Sequence, residues 1–266
     1  MSIGIAIAVP DGIALAADTQ TTWNNVVVRA KDKKTGTEFE LAEPISVPVG
    51  WSQSARKLFS VNLAGKTYAV ITAGEANLNH KTMYAIFRSA TKKYSGNGTF
   101  DDVLRFYVGH LKSELCATLS LAPEKLSTSP IKICEFILAG YEDNDVAKPE
   151  VESHIVFSGT LTIDGKPDTS GHFKKWSNRT QPTRYGGCWI GQTVYISHIV
   201  NHANKELPLI SGQYEMMTVA DAVDYTLFLV AFTCDFQRFA IMVPNCGRPI
   251  SSATLTPDSF DEKVVR

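Results

Sequence analysis

Apolar residues near the start of the chain gather in two short runs, Gly4–Val9 and Ile13–Ala17, divided by Pro10-Asp11-Gly12. Runs this short, apolar at nearly every position and separated by turn formers, predict a hairpin covered on both faces. From Trp23 to Gly50 the pattern changes. A charge cluster, Arg29-Ala30-Lys31-Asp32-Lys33-Lys34, precedes Glu43-Pro44 and Pro48-Val49-Gly50, so a surface excursion is expected, an extended hairpin with Val26–Val28 in one arm. Lys57–Val61 and Thr67–Thr72 then predict a second strand pair turning at Ala64-Gly65.

A helical period follows. Leu78, Met83, Ile86 and Ala90 can share one face of a helix over roughly Asn77–Tyr94. A second helix is expected after a Thr99 cap, with Asp101 and Asp102 in its first turn and Val103, Tyr107, Leu111 and Leu115 along its apolar stripe. Ile133–Gly140 and His154–Ile163 predict strands, the latter ending at an Asp164-Gly165 turn, and Lys166–Thr183 is polar and loop-like. Thr218-Val219-Ala220-Asp221 resembles a capping box opening an apolar helix to about Asp235, and Arg248–Leu255 is placed back in a sheet. This order lacks regular β-α-β alternation. It predicts an α+β fold with helices layered on antiparallel sheets, in a single domain over 1–266 with an excursion at about 23–50.

Composition narrows the function classes. A net charge of −1 leaves no electrostatic footprint for nucleic acid or a membrane surface. Cys116, Cys134, Cys188, Cys234 and Cys246 are scattered and without C-x-x-C spacing, which predicts buried thiols in a reducing compartment rather than a disulfide framework. The N-terminal apolar run has no basic region before it and is broken by a turn, so neither a signal peptide nor a membrane span is expected, and the expected location is cytoplasmic. His198 and His202, four apart, lack a carboxylate or cysteine to complete a metal site; an ordinary surface pair is the better expectation. Cys188, after Gly186-Gly187, has no identifiable partner histidine and is expected to be a packed thiol.

The stretch GIAIAVPDGIALAADTQTT resembles the opening of proteasome β subunits and bacterial proteasome homologues, which are N-terminal nucleophile (Ntn) hydrolases. The likeness lies in Asp11-Gly12, Ala16-Ala17-Asp18 and Thr22, then in Ala55-Arg56-Lys57-Leu58-Phe59-Ser60-Val61 and Thr72-Ala73-Gly74. The two helices and TVADAVDYTLFLVAF follow in the same order. The resemblance implies a four-layer αββα sandwich with two antiparallel sheets. It also implies a threonine-type endopeptidase that cleaves peptide or unfolded protein, needs no cofactor or metal, assembles as a homo-oligomeric ring, and leaves open an ATPase partner.

Counting back from Asp11-Gly12 puts the nucleophile on Ser2, freed by removal of Met1. An α-amine with an ordinary pKa of about 7.7–8.0 can accept the proton of its own residue's hydroxyl near neutral pH. By the resemblance, Lys57 lowers that amine's pKa, Asp18 pairs with Lys57, the Gly74 N–H stabilises the oxyanion, and Thr22 holds an extended peptide. Taken singly, each residue also has an ordinary explanation. Ser2 is a common second residue, Asp18 can close a strand, Lys57 can lie exposed on a strand, and Gly74 can simply enter a helix.

Two supporting positions depart from the pattern. Ile190, in Trp189-Ile190-Gly191-Gln192-Thr193, takes the place of a hydrogen-bonding serine. Cys246, in Val243-Pro244-Asn245-Cys246-Gly247, stands in a segment that has neither the family's aspartate nor its serine, with Asn245 or Asp235 as candidate substitutes. The alternatives to a peptidase are therefore a catalytically inactive ring-forming subunit and a small-molecule amidase of the same superfamily.

Overall fold

The computed structural model describes residues 2–32, 34–96, 98–119, 132–145, 148–157, 161–163, 166–168, 185–202, 214–239 and 244–265. The opening hairpin is β1 (Ile3–Val9) and β2 (Gly12–Asp18), in register from Val9 opposite Gly12 to Gly4 opposite Ala17. The excursion is a long hairpin of β3 (Thr21–Lys31) and β4 (Glu38–Ser52). Asp32 shapes its tip. The carboxylate accepts the N–H groups of Lys34 and Thr35, both at 2.7 Å, and these donors hold its pKa below the ordinary value.

Next come β5 (Leu58–Leu63) and β6 (Lys66–Gly74), joined where Ala64 and Gly65 take left-handed φ values of 50° and 77°. The expected helix from Asn77 starts late. A two-residue ladder of β7 (Asn77–Leu78) and β8 (Lys81–Thr82) occupies its first turns, with Asn79 and His80 at φ 48° and 58°. Asn79 is held there by two hydrogen bonds that it donates, from its backbone N–H to Thr118 Oγ1 (2.6 Å) and from its Nδ2 to Glu114 Oε2 (2.9 Å). Only then does Thr82 cap α1 (Met83–Thr91), and α2 (Phe100–Leu119) follows behind the expected Thr99.

The chain continues through β9 (Lys132–Tyr141), β10 (Pro149–Phe157), β11 (Leu161–Ile163), β12 (Lys166–Asp168), β13 (Gly186–Gly191) and α3 (Val194–His202). The strand expected over His154–Ile163 is thus two strands: β10 begins earlier, at Pro149, and β11 pairs only with β12. The turn at Asp164-Gly165 and most of the loop expected over Lys166–Thr183 lie outside the described residues. Thr218 and Asp221 form a reciprocal capping box on α4 (Val219–Arg238), an arrangement worth about 1 kcal/mol. Finally, β14 (Ile250–Leu255) returns to the sheet, and β15 (Phe260–Val265), which has no strong apolar signal, pairs along it.

The larger ladders form an antiparallel five-stranded sheet, β13-β1-β2-β14-β15, and an antiparallel four-stranded sheet, β10-β9-β6-β5. Strand alternation divides their side chains among three apolar clusters. Ile5 and Ile7 of β1 face α3 and α4, meeting Ile196, Leu229 and Val230. Ala6 and Ala8 face the other way, packing with Ile13 and Leu15 against Ala69, Ile71, Ile137 and Ala139 of the four-stranded sheet. Phe59, Tyr68 and Phe136, on that sheet's far side, cover Phe87, Tyr107 and Leu111 of α1 and α2. Burial on both faces explains why β1 and β2 are apolar throughout.

Candidate active site

The apolar run of β2 ends on Asp18, whose side chain is fully buried beside Ile250 of β14. A carboxylate there must be hydrogen-bonded to survive desolvation, and this one has donors on both oxygens. Oδ1 accepts the Ile3 N–H (2.9 Å) and the Lys57 ammonium (2.9 Å). Oδ2 accepts the ammonium (3.0 Å) and the N–H groups of Gln20 (3.2 Å) and Gly247 (3.3 Å). Burial pushes the Asp18 pKa above the ordinary carboxylate value, against the opposing pull of Lys57 and these N–H donors.

Lys57 immediately precedes β5, and its carbonyl accepts the Thr72 N–H (2.9 Å), extending the β5–β6 ladder. It is 7% exposed, so its ammonium sits inside the protein, where it also donates to the Gln20 carbonyl. An exposed strand lysine is therefore ruled out for this position.

Ser2 is the residue before Ile3 and is itself buried. Its carbonyl accepts the Gln192 N–H at 2.8 Å. Gly191, at the end of β13 with φ 85°, passes so close that a Cβ added there would lie 1.8 Å from the Ser2 oxygen and 3.4 Å from the Ala73 Cβ. The Gly191 N–H donates to Glu135 Oε2 at 2.6 Å, and Glu135 pairs across the sheet with Ala73. The start of β1 is thus clasped between the Asp18–Lys57 pair and the Gly191–Glu135 contact. Gly74, exposed with φ 89°, follows Ala73 at the end of β6 and pairs with Cys134.

Thr22 is placed differently. It lies on β3, two residues beyond Gln20, where its Oγ1 is buried without a hydrogen-bond partner. It lines a cavity of about 700 Å³ together with Gln20, Trp51, Cys246, Gly247 and Arg248. Two of these walls, Gln20 and Gly247, are also donors to Asp18.

Residues that the sequence pattern did not single out complete the surroundings. Glu135 is one; its signal was a lone carboxylate within the otherwise apolar ICEFILAG. Gln237 is another, buried on α4, where its Oε1 accepts the N–H groups of Asn245 (2.8 Å) and Cys246 (3.2 Å) and so fixes the loop that presents Gly247 to Asp18. Ile190 packs between the sheets, and the contact with Ser2 is made by the backbone of Gln192 instead. Asp235 is engaged by Arg248 at 3.0 Å, and Cys246 is buried, with Cys234 beside it. Cys188 is fully buried as expected. Among the described residues, no group of three or more His, Cys, Asp or Glu could hold a metal, and no helix is long and apolar enough to cross a membrane.

No protein-family model matches the sequence, and no match is found among curated proteins. The fold does have solved counterparts. Anbu (ancestral beta-subunit) from Yersinia bercovieri superposes with a TM-score of 0.55 at 13% identity, over 99% of this chain and 86% of that one. A Gly-1 mutant of Anbu from Hyphomicrobium sp. strain MC1 gives 0.56 at 13% identity, over 100% and 87%. These findings correct the resemblance drawn from the sequence. The chain is not placed among proteasome β subunits or their bacterial homologues; it has a distant relationship, at the level of the fold, to Anbu.

Proposed function

We propose that the chain is a hydrolase that cleaves peptide bonds with Ser2 as its nucleophile, once the Met1–Ser2 bond has been cut. One observation carries this reading: a single buried carboxylate, Asp18, binds both the backbone N–H of Ile3, the residue after Ser2, and the ammonium of Lys57. A cation buried at the start of β1, one residue from the Ser2 nitrogen, would lower the pKa of the amine that cleavage creates on Ser2, so that the amine is neutral and able to accept a proton.

The freed amine would take the Ser2 hydroxyl proton while Oγ attacks the scissile carbonyl. The Gly74 N–H would stabilise the oxyanion, a contribution of about 3 kcal/mol for a well-aimed donor. Collapse of the tetrahedral intermediate would pass the proton to the leaving amine and leave an ester on Ser2. Water, deprotonated by the same amine, would then release the acid. The stacking of three apolar clusters supports the four-layer αββα order that this chemistry uses elsewhere.

The outer face of α4 bears on assembly. Phe228, Phe232 and Phe236 are exposed along it and Phe239 just past its end, an apolar surface that supports a homo-oligomer of this single-domain chain, with a ring as the proposed form. Five buried cysteines, none of them in a disulfide, are consistent with a cytoplasmic site.

A second reading, a non-catalytic subunit, is favoured by one feature. The loop beside Asp18 offers Cys246 held against Cys234, where a hydroxyl or carboxylate would orient the amine. Intact mass after treatment with an acylating β-lactone, together with turnover of fluorogenic peptides, separates the two. A single adduct on Ser2 and loss of turnover in Ser2→Ala are expected of the hydrolase. Retention of Met1, or unchanged turnover in Ser2→Ala, would overturn it.

A further inference from the structure

Resting on the hydrolase reading, we infer that the cavity beside Asp18 binds a carboxylate-bearing side chain of the peptide substrate, and that Arg238 selects it. The ionisable walls decide the sign of the ligand. Arg248 spends its guanidinium on Asp235, with Nη2 at 3.0 Å from one carboxylate oxygen and Nε at 3.5 Å from the other. Arg238 stands only 3.8 Å from the same carboxylate through one nitrogen, and its side chain is 69% exposed. Two guanidiniums thus share one carboxylate, and the cavity keeps a net positive charge. Cys234, also in the wall, adds no negative charge: its hydrogen bond with Cys246, and then burial, push its thiol well above the ordinary range. The Asp18–Lys57 ion pair lies behind Gln20 and Gly247, outside the cavity lining.

One further observation points to an occupant. Trp51, opposite Thr22 on β4, presents an indole that is 61% exposed. A large aromatic in the same cavity wall as an exposed guanidinium that meets its carboxylate through one nitrogen at 3.8 Å suits a peptide segment with an acidic side chain better than a bare inorganic anion.

The site is separable from the chemistry. Neither Ser2 nor Lys57 lines it, and Arg238 closes α4 at the surface, where it can be changed without disturbing the core. The test is binding of fluorescein-labelled hexapeptides, read by anisotropy, to the native protein and to its Ser2→Ala variant. The peptides are identical except for Glu, Gln or Lys at one scanned position. At low salt the Glu peptide is expected to bind about tenfold tighter than its Gln counterpart, with the margin shrinking as salt is raised. Arg238→Gln should erase the preference, Arg238→Lys restore most of it, and Arg238→Glu turn it toward the Lys peptide.

Equal binding of Glu and Gln peptides, or a preference that survives Arg238→Gln, would overturn the inference. So would free glutamate displacing the peptide at the peptide's own concentration, since the ligand would then be a small acid. Charge-selective binding without any turnover would leave this site standing and remove the hydrolase reading. Turnover without charge selection would do the reverse.

Discussion

Asp18 and Lys57 lie 39 residues apart in sequence and meet as a buried ion pair, with Nζ 2.9 Å and 3.0 Å from the two carboxylate oxygens. Removing one partner of such a pair leaves the other charge stranded, which costs about 3–5 kcal/mol. Lys57→Met should therefore lower the unfolding free energy by about that amount. Asp18→Asn combined with Lys57→Met should cost less, because the charge is gone while an amide oxygen still accepts the Ile3 N–H. In Lys57→Met alone, the Asp18 pKa rises further above its value in the unfolded chain. The folded state then binds more protons, and stability should recover as pH falls. Urea denaturation of the three variants between pH 5 and 8 checks both the ordering and this slope; equal losses in the single and double variants would refute it.

Gly191 and Gly65 separate steric from conformational demands for glycine. Both have positive φ, 85° and 77°. A Cβ at Gly65 meets nothing within 4 Å, so Gly65→Ala should cost only the left-handed backbone penalty, about 1–2 kcal/mol. A Cβ at Gly191 collides with the Ser2 carbonyl at 1.8 Å, and backbone has to move. Gly191→Ala should therefore cost about 3 kcal/mol or more, and it should abolish any acylation of Ser2. Thermal denaturation of the two variants is the measurement, and similar losses at both positions would contradict the close approach.

Much of this arrangement was legible in local pattern. The hairpin before Asp18, the Ala64-Gly65 turn, the Thr99 and Thr218 caps and the return at Arg248–Leu255 are all written in turn formers, caps and short apolar runs. What the pattern missed depends on distant partners. Leu78 falls in one helical period with Met83, Ile86 and Ala90, yet Glu114 and Thr118 of α2 hold Asn79 in a left-handed turn. Phe260–Val265 becomes a strand because β14 offers it an edge. The pairing of Asp18 with Lys57 was expected only through the likeness to another family, and the likeness outran what the comparisons bear out. Glu135 and Gln237 were missed because a single polar residue in an apolar element carries no sign of what it will bind.

His110 and Glu114, one turn apart on α2, predict how stability responds to acid. Burial holds the His110 pKa below its ordinary 6.5, outweighing the Glu114 carboxylate 3.7 Å away, and Lys93 and Lys81 push the same way. For Glu114 burial alone would raise the pKa, but hydrogen bonds from Lys81 and Asn79 bring the net value below 4.5. In both cases the unfolded chain binds protons at a higher pH than the folded one, so stability is full above the unfolded pKa and falls with acid. The denaturation midpoint should begin to drop as pH passes below 6.5 and drop again below 4.5. His110→Gln should flatten the first decline and keep the second, and Glu114→Gln should flatten the second while deepening the first, because the carboxylate that favours the imidazolium is gone. A midpoint that rises on acidification through the first window would reverse the sign assigned to His110.

Cys134 tests whether the sheet behind Gly74 is as closed as its burial implies. It is fully buried on β9, opposite Gly74. Burial first, then the neighbouring charges of Glu135 and Glu75, push its thiol up to about 12. Only the thiolate reacts with an alkylating agent, so at pH 8 a group with that pKa presents a reactive fraction on the order of 10⁻⁴. Iodoacetamide at pH 8 should leave Cys134 unmodified in the native protein and label it at an ordinary rate in urea, as read by peptide mass spectrometry. Labelling should rise with sub-denaturing urea only as α1 and α2 lift from the sheet, because Cys134 packs in the cluster between them. Fast native labelling would mean that the helix layer behind the end of β6 opens freely in the native protein. A β6 end without that support could not hold the Gly74 N–H in place for an oxyanion, and that role would have to be withdrawn.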